Sequence, residues 1–192
     1  IRHRRLIEVK SMFYKLNISI DINNAQQYYS ILEKDYKHKK WESVVGDQLI
    51  YGWSLHILHG VTGNFGFYGL NTEPLGVDNY YRSDLCFGWA EEILNLFPYG
   101  YRAGVGVSPG GTIVPPHVDE NWPDMMRLHI PIHTNKNYVW HTHEPDLHME
   151  VGSVYLVDTS YLHATTNGGI TDRVHFGMNI PRVNFDDIKK FF

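Results

Sequence analysis

From Tyr101 onward the chain is written in short runs, YRAGVGV, TIVPPHVD, MMRLHIPIHT, NYVWHTHE, GSVYLVDT and RVHFGMNIP, each bounded by turn residues such as Ser-Pro-Gly-Gly. Strands this short cannot build a core alone, and their spacing predicts that they close on one another as an all-β sandwich or jelly roll. Two runs alternate cleanly. Leu128, Ile130 and Ile132 share one face of their strand while Arg127, His129, Pro131 and His133 share the other. Val174, Phe176, Met178 and Ile180 likewise oppose Arg173, His175, Gly177 and Asn179. A polar face ordinarily meets solvent, but faces this rich in histidine and arginine can instead line the mouth of a jelly roll. The apolar faces then meet helices or the opposing sheet.

The first half of the chain reads differently. Residues 23–40 carry Tyr28, Ile31, Leu32 and Tyr36 at helical spacing, with Asn23 or Asn24 as N-cap and lysines at the far end, which predicts an amphipathic helix. A second helix is expected over Ser83 to Leu96, and the glycine- and aromatic-rich segment from Gly60 to Tyr81 reads as a long loop. At 192 residues and 22.3 kDa the chain fits a single domain, mainly β, with N-terminal α-helices flanking a jelly roll. The expected division is a helical and loop part at 1–97, the jelly-roll core at 98–182 and a tail at 183–192.

Composition narrows the function. A net charge of −4 leaves no basic footprint for a phosphate backbone, and the positive first ten residues, IRHRRLIEVK, read as a solvated end, so no nucleic-acid partner is expected. Cys86 stands alone and is read as a small buried hydrophobe, which favours a reducing, cytoplasmic setting. No stretch approaches the roughly 20 apolar residues of a membrane span, so no membrane partner is expected. The chain opens at Ile1 rather than methionine and reads as trimmed or partial. Nucleophile elbow, P-loop, dinucleotide-binding glycines and paired CxxC motifs are all missing.

The chemistry gathers elsewhere. His117 and Asp119 lie two apart in IVPPHVDE, a spacing that puts both on one face of a strand, and His163 follows the run GSVYLV. With 12 histidines in the chain an HxD alone is weak, but Arg173 opens the next run ten residues after His163. Two histidines and a carboxylate leave half an octahedron open, the arrangement of non-haem Fe(II) oxygenases. An arginine nearby can clamp a carboxylate bidentately. Arg127 and His129 share one strand face and can add donors to the same anion. Asp158 is expected either to cap the turn before His163 or to accept an imidazole proton. His141, His143 and His148 form a rival cluster in what reads as a loop and are expected to be exposed or substrate-facing rather than ligands, and Trp89, Trp122 and Trp140 could shape a pocket but read more readily as core.

Together, SPGGTIVPPHVDE, RLHIPI and GSVYLVDTSYLHATTNGGITDRVHFGMNI resemble the Fe(II)/2-oxoglutarate-dependent dioxygenases, within them the aspartyl/asparaginyl β-hydroxylase-like branch, over residues 99–182. The resemblance implies a double-stranded β-helix, the cupin-like jelly roll, with Fe(II) held by His117, Asp119 and His163. It implies 2-oxoglutarate on the iron, clamped by Arg173 with Arg127 and His129 assisting, and O2 as oxidant. The reaction implied is hydroxylation of an unactivated C–H bond of an amino acid, or of an Asp/Asn-type residue in a peptide or protein, with succinate and CO2 as co-products. Some members of the branch lack the carboxylate ligand, whereas Asp119 is present here. Relatives that hydroxylate free amino acids such as proline match the size and the intact triad equally. Two other readings stay open: a cupin-type metal isomerase or dioxygenase that has no need of Arg173, and a non-catalytic jelly-roll binding module.

Overall fold

The alternating runs form strands. The computed structural model describes residues 11–36, 39–45, 48–61, 80–119 and 124–192, with the backbone alone described at 39–45, 48–53 and 60–61. The basic first ten residues, Trp122 and the middle of the glycine-rich segment lie outside these. The expected strands are β6 (Tyr101–Ser108), β7 (Ile113–His117), β8 (Met125–His133), β9 (Tyr138–His141), β10 (Val154–Val157) and β12 (Arg173–Pro181), with a further strand, β11 (His163–Asn167), before the last. The Pro-Gly-Gly turn leaving β6 forms as expected, with Gly111 in the left-handed region at φ 84°.

The N-terminal half is more than helix and loop. Strands β1 (Phe13–Leu16), β2 (Lys39–Val45) and β3 (Gln48–Ile57) join the core strands in a seven-stranded antiparallel sheet of order β1-β10-β8-β12-β6-β3-β2. β1 covers the exposed edge of β10 and β3 covers that of β6, edges that would otherwise present unpaired backbone. The expected loop is bounded by a small hairpin, β4 (His59–Val61) with β5 (Tyr80–Arg82). A second sheet, β7-β11-β9, completes the double-stranded β-helix.

Both helices are shorter than predicted. Helix α1 spans Ile22–Asp35, and its N-cap is Asp21, whose carboxylate accepts from the Asn24 N–H at 3.0 Å, rather than either asparagine. It ends where Tyr36 turns extended, and the lysines at 39 and 40 belong to β2 instead of a last helical turn. Helix α2 spans Gly88–Leu96. Ser83 cannot start it, because its hydroxyl donates to the Ile57 carbonyl at 2.8 Å and accepts from the Leu85 N–H, and Gly88 takes φ 52°.

The two faces of the large sheet divide the core. Leu128, Ile130, Ile132, Val174, Phe176 and Met178 pack with Ala103, Val105 and Val107 against Tyr28 and Leu32 of α1 and Trp89 and Ile93 of α2. Burying these side chains supplies the main drive to fold, at roughly 1.5–3 kcal/mol for each large one. The opposite face carries Arg127, His129, Arg173, His175 and Asn179 toward the small sheet, and solvent is excluded there too, since all but Arg127 are buried. The polar alternation therefore marks the interior of the jelly roll.

Candidate metal centre

Strand register brings the first two candidate residues together. In the β7–β11 pair His163 lies directly opposite His117, next to a register shift in β11, and the two rings are 4.2 Å apart between centroids. β7 stops at His117, so Asp119 does not share its strand face by alternation as expected. Asp119 arrives on the connection that follows, where its N–H donates to the Thr159 carbonyl at 3.0 Å. Its carboxylate then stands 3.8 Å from His117 Nε2. Among the described residues His117, Asp119 and His163 are the one group of such side chains able to surround a metal ion, with ligand atoms all within 4.8 Å of one another.

The imidazoles are fixed for that purpose. His117 Nδ1 donates to the Pro115 carbonyl at 2.8 Å and His163 Nδ1 to the Tyr161 carbonyl at 2.9 Å. Each bond spends the Nδ1 proton on backbone and leaves an Nε2 lone pair free, the tautomer a metal needs. Burial and the neighbouring His117 also hold His163 below the ordinary imidazole pKa, which keeps it neutral. Trp140 stacks on His163 at 5.5 Å and closes one side of the site. Trp89, by contrast, belongs to the helix-facing core.

Arg173 is 1% exposed at the start of β12. Its Nη1 donates to His175 Nδ1 at 2.7 Å and lies 3.5 Å from the Tyr138 hydroxyl, and the guanidinium rides 4.2 Å above the Tyr138 ring. Its Nε and Nη2 have no hydrogen-bond partner among the described residues. Beside it lies His129, buried, with neither ring nitrogen bonded among the described residues, 5.3 Å from His175 and 5.2 Å from Trp140. Burial, with Arg173 and Arg127 adding to it, drives His129 and His175 well below the ordinary imidazole pKa. Arg127 reaches the same face, giving its Nη1 proton to Asn179 Oδ1 at 3.0 Å. The floor between these groups is bare: Gly177 pairs with Gly104 on one side and His129 on the other, and Gly106 pairs with His175.

The rival histidines are committed elsewhere. His141 bonds Asp146 at 3.0 Å and Thr166 at 2.9 Å, His148 Nδ1 donates to the Tyr138 carbonyl, and His143 packs at a tilt against Tyr161. Asp158 resolves to the turn-capping alternative. Its carboxylate accepts from the backbone and hydroxyl of Ser160 and pairs with Arg182, while the proton of His163 goes to a carbonyl. Sequence reasoning assigned no role to Tyr138 or His175. The second was signalled by its place two residues from Arg173 on the same face; Tyr138 carried no such signal.

Residues 98–182 match the family model described as Aspartyl/Asparaginyl beta-hydroxylase. No curated protein matches the chain. Among solved structures, a prolyl hydroxylase from Trichoplax adhaerens, in complex with a hypoxia inducible factor oxygen degradation domain peptide fragment, is similar with a TM-score of 0.59 at 12% identity, covering 91% of this chain and 86% of that one. A Pseudomonas putida prolyl-4-hydroxylase reaches 0.56 at 8% identity over 90% of this chain and 94% of its own. An oxidoreductase of the 2OG-Fe(II) oxygenase family from Burkholderia pseudomallei also reaches 0.56, at 12% identity over 81% and 78%. At such identities the structural likeness establishes the double-stranded β-helix and no more, and the family match covers the jelly-roll part of the chain.

Proposed function

We propose that this chain, whose residues 98–182 match the Aspartyl/Asparaginyl beta-hydroxylase family model, is a 2-oxoglutarate-dependent oxygenase of that family and hydroxylates an amino acid, either free or as an Asp/Asn-type residue of a peptide. His117, Asp119 and His163 hold Fe(II), and Arg173 takes the far carboxylate of 2-oxoglutarate, with Arg127 and His129 as further donors. The observation that carries this reading is one concave face holding both a metal-competent triad and a buried guanidinium whose Nε and Nη2 are uncommitted. A buried cation without a carboxylate partner is costly, and a dicarboxylate co-substrate offsets that cost. A cupin-type metal enzyme that does not use 2-oxoglutarate would leave Arg173 unexplained.

The residues present suit the group. Two neutral imidazoles and a carboxylate match the preference of non-haem iron and leave open positions. When bound, Fe(II) with 2-oxoglutarate and O2 supplies an oxidant for unactivated C–H bonds, releasing succinate and CO2. The protein's own part is positional. The Pro115 and Tyr161 carbonyls aim the two Nε2 atoms, and the backbone of Thr159 holds Asp119 beside them. Trp140 excludes water on one flank, and the cross-strand glycines leave space beside Arg127 and His175. A structural relative carries a peptide on the same fold, so a residue within a peptide suits this reading as well as a free amino acid does.

The test is turnover. Iron-loaded protein given O2 and 2-oxoglutarate should form succinate slowly by itself, and faster with the true substrate, drawn from a panel of free amino acids and Asp-, Asn- and Pro-containing peptides, which gains one oxygen atom. Folded, iron-replete protein that makes no succinate above a protein-free control would contradict the proposal.

A further inference from the structure

We infer that His175 and Tyr138 are positioning residues that hold Arg173 as a cation with no internal counter-charge, leaving its side-on fork to be completed only by the carboxylate of a ligand. The inference rests on the proposed role of Arg173 and assigns the residues that make it possible.

A buried arginine is ordinarily neutralised by an aspartate or glutamate within its own protein. Arg173 is held by two groups that carry no charge. His175 Nδ1 accepts from Nη1 at 2.7 Å, and the Tyr138 ring lies 4.2 Å beneath the guanidinium. The first contact uses one donor group, and the second uses the flat face, so the parallel N–H groups of Nε and Nη2 remain. Those two donors form the edge that grips a carboxylate bidentately. The titratable groups that act on His175 are Arg173, His129 and Arg127, cations and a neutral imidazole, and the one that acts on Arg173 is the Tyr138 phenol, with no carboxylate among them. Burial keeps His175 neutral, so it orients the fork without cancelling its charge. An acidic residue at position 175 would orient the fork equally well and fill it electrostatically.

That difference is measurable. 2-Oxoglutarate would be titrated calorimetrically into Mn(II)-loaded protein under nitrogen for the wild type, His175→Asp, His175→Asn and Tyr138→Leu, with Mn(II) affinity and thermal midpoint measured on each. His175→Asp should weaken 2-oxoglutarate by about 100-fold, while His175→Asn, a neutral acceptor of the same size, should weaken it by less than about 10-fold, with Mn(II) affinity unchanged in both. Tyr138→Leu should fall between them, because the guanidinium loses the face that fixes its plane. Equal binding by His175→Asp and wild type, or equal losses in Asp and Asn, would overturn the inference. Should His175→Asp not fold, wild-type affinity in Tyr138→Leu would overturn it independently. A wild type that binds Mn(II) but not 2-oxoglutarate would instead defeat the proposed function.

Discussion

The Nδ1 protons of His117 and His163 are each committed to a carbonyl two residues earlier, so each ring reaches the site already in the tautomer that binds metal. Removing either ring would remove one of the proposed ligands. His163→Ala should lower Co(II) or Fe(II) affinity by at least about 100-fold, whereas Asp119→Ala, which leaves both imidazoles in place, should retain weaker binding; a metal titration distinguishes them. Metal affinity preserved in His163→Ala would mean that the triad is misassigned. At this scale much was legible from spacing, since HxD, the later His163 and Arg173 are all local patterns. Tyr138 was not, because alternation tells which residues share a face but not which two faces meet across a barrel. The geometric reason given for Asp119 also changes, for its position is set by a bond to Thr159 rather than by strand alternation.

A single turn serves two of the three candidate ligands. Within residues 158–162, the Thr159 carbonyl holds Asp119 and the Tyr161 carbonyl holds the ring of His163. The turn is itself tied down by Asp158, buried against Ser160 and Arg182, and the Arg182 N–H donates to the Asp124 carbonyl beyond Asp119. Arg182→Met should therefore loosen both ligands together, lowering metal affinity about 10-fold, with Arg182→Lys restoring part of it. Metal affinity identical to wild type in Arg182→Met would assign the pair to stability alone. Of the strands from β6 onward all but β11 were legible at this scale, while none of β1 to β5 was, including the seven residues of β2 and the ten of β3. β1, β4 and β5 span three or four residues, too few for a period to register, and β1 and β3 are held by pairing to the edges of strands far away in sequence. β11 was hidden because HATTN holds no apolar alternation.

Across the molecule, no described helix is long and apolar enough to cross a membrane, and the large sheet separates an apolar core from a polar one. That polar interior has a consequence for stability. His129 and His175 are held well below the ordinary imidazole value near 6.5 and His163 below it, all chiefly by burial, while His59 is pushed down to about 4. The unfolded chain therefore binds more protons than the folded one below about pH 6.5. Stability is present in full above that pH and is lost as pH falls toward the folded values, at up to about 1.4 kcal/mol per pH unit for each histidine. Urea denaturation of metal-free protein should give a lower midpoint at pH 5.5 than at pH 7.5, and equal midpoints would refute the buried neutral cluster. The central claim, that this interior joins a metal triad to a carboxylate clamp, is tested most directly by adding 2-oxoglutarate anaerobically to Fe(II)-loaded protein, with Arg173→Ala alongside. The wild type should show a weak visible charge-transfer band that is lost or needs far more 2-oxoglutarate in the variant. Iron-replete, folded wild type without a band, or a band indifferent to Arg173, would contradict it.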